Sequence, residues 1–407
     1  MTSPESETPA DRLTIGVLRE TANQERRVAV DPDVVGEWAR NGCHVLVESG
    51  AGLRAGWSDT DYEASGGTVI QRSDVIADAD ILAMVRPPDD ETVAAISQGQ
   101  LLIGMLDPLQ NLELMSALCR RGATVAAFEL LPRTLSRAQS MDALTSQSSA
   151  AGYRAAIVSA EAFGGFFPMM ITAAGTARPA RVLVIGAGVA GLQALSTARR
   201  LGALVTGYDV RPASRQEVES VGASFATSTV AEGAATGGYA RAMTSDELAI
   251  QQAELSRLVA GFDVVITTAK VPGRRPPMLV PQKALASLAR GSVCVDLACS
   301  PQGGNVYGSI DGERITDQNG ITVIGSSDLA STIPAAASRM FAKNVHAMVA
   351  ALTSEGRLAI DFDDELQREV LVCHDGAFVS PDVQRALGLN DSENVPDASA
   401  EGVVVAS

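Results

Sequence analysis

The feature that most constrains the fold of this chain is a glycine turn, Val184-Ile-Gly186-Ala-Gly188-Val-Ala-Gly191. An apolar run precedes the turn, and a helical pattern follows it to about residue 201. In this spacing Gly186 permits the tight turn, Gly188 lets a ligand approach the backbone, and Gly191 lets the helix pack on the strand. The helix N-terminus would offer N–H groups to phosphates. The sequence therefore predicts a dinucleotide-binding turn at the end of a buried strand.

Short apolar runs alternate with helical patterns on both sides of this turn. The apolar fraction is 46% and the aromatic fraction only 4%, which suits parallel strands covered by helices on both faces. We predict an α/β protein with two Rossmann-like, doubly wound parallel-sheet domains. The predicted strands are residues 13–18, 45–47, 81–85, 101–105 and 124–127 in the first domain, and 181–186, 204–209, 263–268, 292–297 and 321–324 in the second.

Two longer helical patterns, residues 138–164 and 333–352, lie between the two series of strands. They predict an N-terminal domain of residues 13–137 plus 353–389 and a nucleotide domain of residues 165–332. Residues 358–379 are typical of a hairpin that turns at Asp375-Gly376. Residues 1–12 and 390–407 are predicted to be disordered tails. Residues 227–244, rich in Gly, Ala, Ser and Thr, are either a mobile functional loop or an idle surface loop.

An acidic residue follows the second strand of the predicted nucleotide domain, in Asp209-Val210-Arg211. Its carboxylate should bind the adenosine ribose hydroxyls and repel a 2′-phosphate. Two like charges about 4 Å apart cost about 4 kcal/mol at an effective dielectric near 20. Arg211 acts in the opposite direction, because an arginine can accommodate that phosphate. The prediction is NAD(H) rather than NADP(H), with Val189 and Ala190 of the glycine turn and residues 209–211 as cofactor contacts.

Charge and composition exclude several classes of partner. The net charge is −16, from 48 acidic and 32 basic residues, which disfavours nucleic acid and anionic lipid. The five cysteines show no metal or redox spacing, and the three histidines are far apart, so no metal site is predicted. The absence of an apolar spanning run or signal-peptide pattern predicts a cytoplasmic protein.

A polar segment before the first long helix carries the groups that a nicotinamide pocket needs. Arg133 and Arg137 could neutralise a pyrophosphate or orient the carboxamide, Gln139 could pair with an amide, and Asp142 could fix an arginine rotamer. From the residues alone, the segment is equally typical of a helix cap with surface charges.

Five motifs of the chain belong together: Arg137-Ala-Gln-Ser-Met-Asp142, Ala151-Gly-Tyr-Arg-Ala155, the glycine turn, Gly237-Gly-Tyr239-Ala and Thr267-Thr-Ala269. Taken together, these motifs resemble the NAD(H)-binding alpha subunit of proton-translocating nicotinamide nucleotide transhydrogenases, a family related to alanine dehydrogenases. The resemblance implies that Arg133, Gln139 and Asp142 surround the nicotinamide ring and that the loop carrying Tyr239 closes over the nucleotide. It also implies cofactor contacts from Arg137, Thr145, Thr268 and Ala269.

Two departures from the family pattern stand beside this resemblance. Thr134-Leu135 replaces a single residue, so either Arg133 or Arg137 could be the functional arginine. Lys270 stands where the family often has an apolar residue, and nothing in the sequence explains it.

The resemblance also implies a function. NADH would bind in a cleft between the two domains, framed by the two long helices, and hydride would pass to NADP⁺ on a partner subunit. The chain would be a homodimer and would meet the membrane only through NADP(H)-binding and transmembrane transhydrogenase subunits.

Two alternatives remain open. One is an orphan NAD(H)-binding protein, and the other is an alanine-dehydrogenase-like enzyme. The resemblance places that enzyme's lysine near residues 81–87 and its histidine near residues 101–108, and neither residue type occurs there in this chain. Alanine oxidation is therefore disfavoured.

Overall fold

The computed structural model describes residues 12–227, 244–270 and 275–389. Helices and strands alternate along most of these residues, as expected for an α/β protein. The strands are β1 Thr14–Val17, β2 His44–Glu48, β3 Thr68–Ile70, β4 Ile81–Ala83, β5 Leu101–Gly104, β6 Thr124–Ala127, β7 Met170–Thr172, β8 Gly175–Ala177, β9 Arg181–Ile185, β10 Leu204–Tyr208, β11 Ser224–Ala226, β12 Val264–Thr267, β13 Val293–Asp296, β14 Arg314–Thr316, β15 Thr322–Gly325, β16 Thr353–Ser354, β17 Arg357–Leu358, β18 Leu371–His374 and β19 Ala377–Phe378.

The helices include the two long ones that the sequence predicts, α6 and α11. The helices are α1 Pro32–Arg40, α2 Asp59–Ala64, α3 Arg72–Asp78, α4 Asp90–Ala95, α5 Leu112–Arg120, α6 Ala143–Ala162, α7 Val189–Arg200, α8 Ser214–Ser220, α9 Ser245–Val259, α10 Gln282–Leu285, α11 Pro334–Leu352, α12 Glu365–Val370 and α13 Pro381–Leu387. Within the described residues, no helix is long and apolar enough to span a bilayer.

The contacts divide the chain into two compact units. The first contains the described residues up to Leu144 and those from Pro334 onward, and the second is Thr145–Ile333. The sheet of the first unit has the order β19-β18-β6-β5-β4-β1-β2-β3. Strands β1 to β6 run parallel, and β18 and β19 extend the sheet antiparallel at one edge. The predicted doubly wound sheet is confirmed.

Continuous apolar runs form the central strands because helices cover both faces of this sheet. Leu101 and Ile103 of β5 point into one core, together with Phe341 of α11. Leu102 points into a second core on the opposite face, together with Leu118 of α5. Successive side chains of a strand alternate between faces, so both sets must be apolar when both faces are buried.

The C-terminal segment corrects one prediction. Residues 358–379 are not a single hairpin, because helix α12 occupies Glu365–Val370. The turn itself is where it was predicted: His374 pairs with Ala377, and Asp375 and Gly376 have φ of 47° and 83°. Strand β18 pairs with β6 of the first unit, so the chain returns to this sheet as expected.

The second unit has a sheet of order β11-β10-β9-β12-β13-β15-β14. Its first six strands are parallel and follow the doubly wound order, in which the chain direction across the sheet reverses between β9 and β12. The antiparallel edge strand β14 was not predicted, nor was β11. Both are three-residue strands at sheet edges, which are too short to show a period in the sequence.

Candidate nucleotide site

The glycine turn lies where the second sheet reverses its strand order. Strand β9 ends at Ile185 and α7 begins at Val189. Gly186 has φ of 99°, a conformation that favours glycine. A Cβ on Gly191 would lie 1.8 Å from the Gly186 carbonyl oxygen, so only glycine allows α7 to start this close to the strand. Ligands of doubly wound sheets bind at such reversal points, beyond the carboxyl ends of the strands.

The space above the turn is open. A Cβ added to Gly188 would meet no atom of the described residues within 4 Å. Gly188 is also the N-cap of α7, and no side chain in the described part of the chain caps this helix end. The N–H groups in the first turn of a helix lack intrahelical partners and attract anions. The turn therefore fits a nucleotide pyrophosphate.

The end of strand β12 forms the other side of the turn. The Thr268 hydroxyl donates to the Gly186 carbonyl oxygen at 2.9 Å. Thr268 and Ala269 are both half-buried. The Ala269 N–H in turn donates to the side-chain carbonyl of Asn305 at 3.0 Å. The two predicted contact residues after β12 are thus positioned directly against the glycine turn.

Asp209 follows β10 and is 8% exposed. Its Oδ2 accepts from the Ala187 N–H at 2.8 Å, and its Oδ1 accepts from the Arg211 N–H at 2.9 Å. The Arg211 guanidinium also bonds both oxygens, each at 2.9 Å. Burial alone would raise the pKa of Asp209, but the bonds from Arg211 and Ala187 outweigh it and lower the pKa. Asp209 is therefore ionised, and its carboxylate holds the backbone of the glycine turn at Ala187.

The segment of residues 133–142 lies in the first unit as a 3-10 turn over Ser136–Met141. Ala138 and Met141 face the core, whereas Gln139 is exposed. The Asn344 amide of α11 donates to the Ser140 carbonyl at 2.8 Å and holds the turn in place. Because buried and exposed residues alternate in this turn, the Gln139 side chain faces outward from a backbone that is held in place.

The two arginines of this segment have different ion-pair partners. Arg133 Nε lies 3.5 Å from Asp142 Oδ2. Arg137 forms a fork with both oxygens of Asp364, each at 2.6 Å. The predicted pairing of an arginine with Asp142 therefore occurs at Arg133.

Thr145, Tyr239 and Lys270 are three further residues that the sequence analysis singled out. Thr145 is half-buried near the start of α6 in the second unit. Tyr239 and most of the predicted loop at 227–244 lie outside the described residues. Lys270 is exposed, and nothing in the structure explains it.

Sequence reasoning missed two residues that shape this site. Asn305 is fully buried and contacts Ala269. Gly152 of α6 lies against Ala190 of α7, so that an added Cβ would be 2.1 Å from the Ala190 carbonyl oxygen. Gly152 stands in a motif that carries the family resemblance, Ala151-Gly-Tyr-Arg-Ala155, but no periodicity in the sequence marks the contact of either residue.

The first unit has an ionic cluster at the corresponding reversal point, between β1 and β4. Arg27 is 2% exposed and binds Glu25 through Nε at 2.8 Å and Nη2 at 2.6 Å. Arg86 Nε lies 3.1 Å from the same carboxylate. Glu20 accepts from the Val85 and Arg86 N–H groups, and burial raises its pKa to about 7. A buried Glu25–Arg27 ion pair and the partly exposed Arg86 therefore occupy this edge of the sheet.

The sheet order, the glycine turn and the buried acid after β10 define a dinucleotide-binding protein of the Rossmann type. No group of three or more histidines, cysteines and acidic residues that could hold a metal ion occurs in residues 12–227, 244–270 and 275–389. The chain belongs to the alanine dehydrogenase/PNT family, an oxidoreductase family. The family's N-terminal domain matches residues 16–151 and its C-terminal domain matches residues 155–381.

Similar proteins divide between two activities. The NAD(P) transhydrogenase subunit alpha of Cereibacter sphaeroides is 41% identical over 91% of this chain and 71% of its own length. A transhydrogenase structure from Sinorhizobium meliloti matches with a TM-score of 0.80 and 39% identity, covering 90% of this chain and all of that one. An L-alanine dehydrogenase structure matches with a TM-score of 0.75 and 26% identity, covering 92% of this chain and 99% of that one. Of these, the transhydrogenases are the nearer group.

Proposed function

We propose that this chain is the NAD(H)-binding component of a proton-translocating transhydrogenase and that it passes hydride from NADH to NADP⁺ on a partner subunit. One observation carries the proposal: a glycine turn anchored by Asp209 lies in a chain that is 41% identical to a transhydrogenase alpha subunit over 91% of its length. The acidic residue after β10 favours NAD(H) as the bound nucleotide.

Hydride transfer requires little of the protein beyond binding and orienting the two nucleotides. NADH supplies the hydride, and its two electrons pass with it from one nicotinamide to the other, so no proton goes to a protein base. In our proposal the first turn of α7 holds the pyrophosphate and Asp209 binds the adenosine ribose. Arg133, Gln139 and Asp142 contact the nicotinamide, and Tyr239 belongs to a loop that covers it. Precise positioning of the two reacting carbons then supplies much of the rate.

Of the two arginines, we propose Arg133 as the one that contacts nucleotide. Its pairing with Asp142 supports this assignment, because a carboxylate holds a guanidinium in one orientation. Arg137 instead forms an ion pair with Asp364, the residue that precedes α12. The insertion Thr134-Leu135 separates the two arginines without removing either.

The proposed partners are an NADP(H)-binding subunit and a membrane-embedded, proton-conducting subunit. The chain would lie on the cytoplasmic side and meet the membrane only through them. The names of the relatives support the presence of partner subunits, because these proteins are called subunits of NAD(P) transhydrogenase.

The direct test is reduction of an NAD analogue by NADPH, with this chain and an NADP(H)-binding transhydrogenase component in one cuvette. Controls omit each protein in turn, and a parallel cuvette holds NADH, pyruvate and ammonium. We expect hydride transfer only when both proteins are present. NADH binding without transfer would indicate an orphan nucleotide-binding protein, and turnover in the parallel cuvette would indicate an amino-acid dehydrogenase.

Gln139→Ala should slow hydride transfer about tenfold or more, with a much smaller loss of NADH affinity. The side chain is exposed, so its removal leaves the core around Ala138 and Met141 unchanged. Stopped-flow transfer rates and equilibrium NADH binding measure the two effects separately. Ser136→Ala, on the same turn, is the matched control and should change neither. Equal losses in rate and affinity would make Gln139 a binding residue only.

We also propose that the chain is a homodimer, and the hairpin of β7 and β8 supports this. Among the described strands these two pair only with each other, and an isolated two-stranded hairpin is marginally stable in water. Its apolar side chains Ile171 and Met170 are 74% and 40% exposed, and Met169 and Phe166 in the segment just before it are 56% and 55% exposed. An exposed apolar patch of this kind is typical of a protein–protein interface.

Ile171→Asp should convert the dimer to a monomer, because it places a charge in the centre of the apolar surface. Light scattering after size-exclusion chromatography measures the mass. Ile250→Asp on α9 is the control, since Ile250 is also exposed, at 52%, but lies outside the hairpin. A dimer that survives Ile171→Asp unchanged would place the interface elsewhere.

A further inference from the structure

Asn305 is a buried polar residue that the proposed chemistry does not use. It is 0% exposed and follows Gly303 and Gly304 in the segment after β13. Buried side-chain amides need hydrogen-bond partners, since an unpaired amide in the interior costs free energy. The partners of Asn305 therefore show what holds it there.

Each polar atom of the Asn305 side chain bonds to backbone in the segment that follows β12. Its Oδ1 accepts from the Ala269 N–H at 3.0 Å. Its Nδ2 donates to the Ala269 carbonyl at 3.1 Å and to the Pro277 carbonyl at 2.8 Å. The side chain thus pairs with both polar backbone groups of Ala269, as a neighbouring strand would.

The backbone of Asn305 is itself held in place. Its carbonyl accepts from the Leu279 N–H at 2.9 Å and the Val280 N–H at 2.8 Å. On its other side, the buried Asp296 at the end of β13 accepts from the Val306 N–H at 3.1 Å and from the Thr267 hydroxyl at 3.1 Å. A Cβ on Gly304 would lie 2.2 Å from Asp296 Oδ2, so the segment packs directly on this carboxylate. Asn305 is therefore a rigid support.

Ala269 adjoins Thr268, whose hydroxyl bonds to the Gly186 carbonyl of the glycine turn. A chain of direct contacts leads from Asn305 through Ala269 and Thr268 to Gly186. We propose that Asn305 is a positioning residue for the nucleotide site, which fixes the Thr268–Ala269 backbone against the glycine turn. This inference rests on the proposed function, because it assigns Asn305 to NADH binding.

Asn305→Asp tests the inference with a change of one atom. The introduced carboxylate could still accept from Ala269 N–H, but its second oxygen would face the Ala269 and Pro277 carbonyls. We expect NADH affinity to fall about tenfold or more at pH 8, since two buried acceptors lose their donor and a charge is added. Protonation restores one donor, and burial raises the pKa of such a carboxyl. Affinity should therefore recover in part at pH 6.

The controls separate this effect from other titrations and from a charge change alone. Three charged residues lie near the contacts of Asn305: Asp296 accepts from the Val306 N–H, Arg275 lies beside Gly303, and Lys270 follows Ala269. Burial raises the pKa of Asp296. Wild type contains all three, so its own pH profile is the baseline and should lack the recovery. Asn319→Asp makes the same chemical change at an exposed position of the second unit and should follow wild type.

Amide hydrogen exchange without nucleotide gives a readout that does not depend on NADH. In Asn305→Ala the Ala269 amide should exchange about tenfold or more faster, because its acceptor is gone, while the amides of β12 remain protected. This variant also serves if Asn305→Asp fails to fold. Absence of NADH binding by wild type would refute the proposed function, whereas unchanged exchange at Ala269 would overturn the positioning role. Wild-type affinity of Asn305→Asp at pH 8, or a loss without recovery at pH 6, would overturn it as well.

Discussion

Gly152→Ala should weaken NADH binding about tenfold to 100-fold, although alanine is the better helix former. Gly152 lies in the middle of α6, and an added Cβ would be 2.1, 2.8 and 2.9 Å from the carbonyl oxygen, carbonyl carbon and Cα of Ala190. All three are backbone atoms, so no side-chain rotation can relieve the clash. Overpacking of this kind typically costs about 1–3 kcal/mol.

The strain would act on the nucleotide site because Ala190 belongs to the first turn of α7. To accommodate the methyl group, α7 must shift its N-terminus, and the N–H groups that we propose for the pyrophosphate shift with it. Helix propensity alone would stabilise the variant by about 1 kcal/mol, so a loss of affinity must come from the close approach. Isothermal calorimetry with NADH, beside a thermal melt, measures both.

Gly36→Ala is the matched control. Gly36 is also a helical glycine, in α1, but a Cβ there would meet its nearest atoms at 3.4 to 3.8 Å, which is ordinary contact. This variant should bind NADH as wild type does and should be slightly more stable. Normal NADH affinity in Gly152→Ala would mean that α6 and α7 can separate without consequence for the turn.

Asp209→Ala should weaken NADH binding about tenfold or more and strengthen NADPH binding, so that the preference for NADH changes by up to about 1000-fold. Removal of the carboxylate takes an acceptor from the Ala187 N–H beside the glycine turn. It also frees the Arg211 guanidinium, which binds both Asp209 oxygens in the structure. A released guanidinium is a good partner for a 2′-phosphate.

The double variant Asp209→Ala, Arg211→Ala separates these two causes. If the freed guanidinium is responsible for the gain in NADPH affinity, the gain should disappear, while the loss of NADH affinity should persist. Dissociation constants for both nucleotides, measured for wild type, both single variants and the double variant, complete the cycle. Unchanged selectivity in Asp209→Ala would exclude Asp209 as the residue that discriminates between the nucleotides.

The pH dependence of wild type follows from the lowered pKa of Asp209. A lowered pKa keeps the carboxylate ionised at pH 7 and well below it. The contribution of the Asp209 carboxylate to this preference should therefore be constant above the ordinary pKa of an aspartate, about 3.9, and should be lost only as the pH falls through the depressed value. A change of selectivity near neutral pH would come from another group, such as the 2′-phosphate of NADPH, whose second pKa is about 6.

Much of the fold was predictable because the strands and long helices of each unit have recognisable patterns of apolar residues in the sequence. Strands such as β5 are continuous apolar runs, and the long helix α6 was predicted as residues 138–164, although it begins only at Ala143, after the 3-10 turn. The predictions failed for elements that are too short to show the periodicity of a strand or a helix in the sequence. The strands β11 and β14 have three residues each, and α12 has six within the segment taken for a hairpin.

Some features of the candidate site were also predictable from the sequence, and others were not. The glycine turn and Asp209 were predictable because strand, turn, helix and acidic residue follow one another along the chain. The partners of the two arginines were not, since Arg137 pairs with Asp364, 227 residues away. From the sequence alone the two arginines were equivalent, and only the ion pairs distinguish them.

The sequence by itself determined the class of fold, the position of the glycine turn and the acidic residue that follows β10. These depend on neighbours along the chain, which set local backbone geometry and the alternation of buried side chains. Only the tertiary structure decided that Gly152 lies against Ala190 and that Asn305 supports Ala269. Such contacts join residues that are distant in the chain, and a single side chain that meets a distant backbone leaves no pattern in the sequence around it.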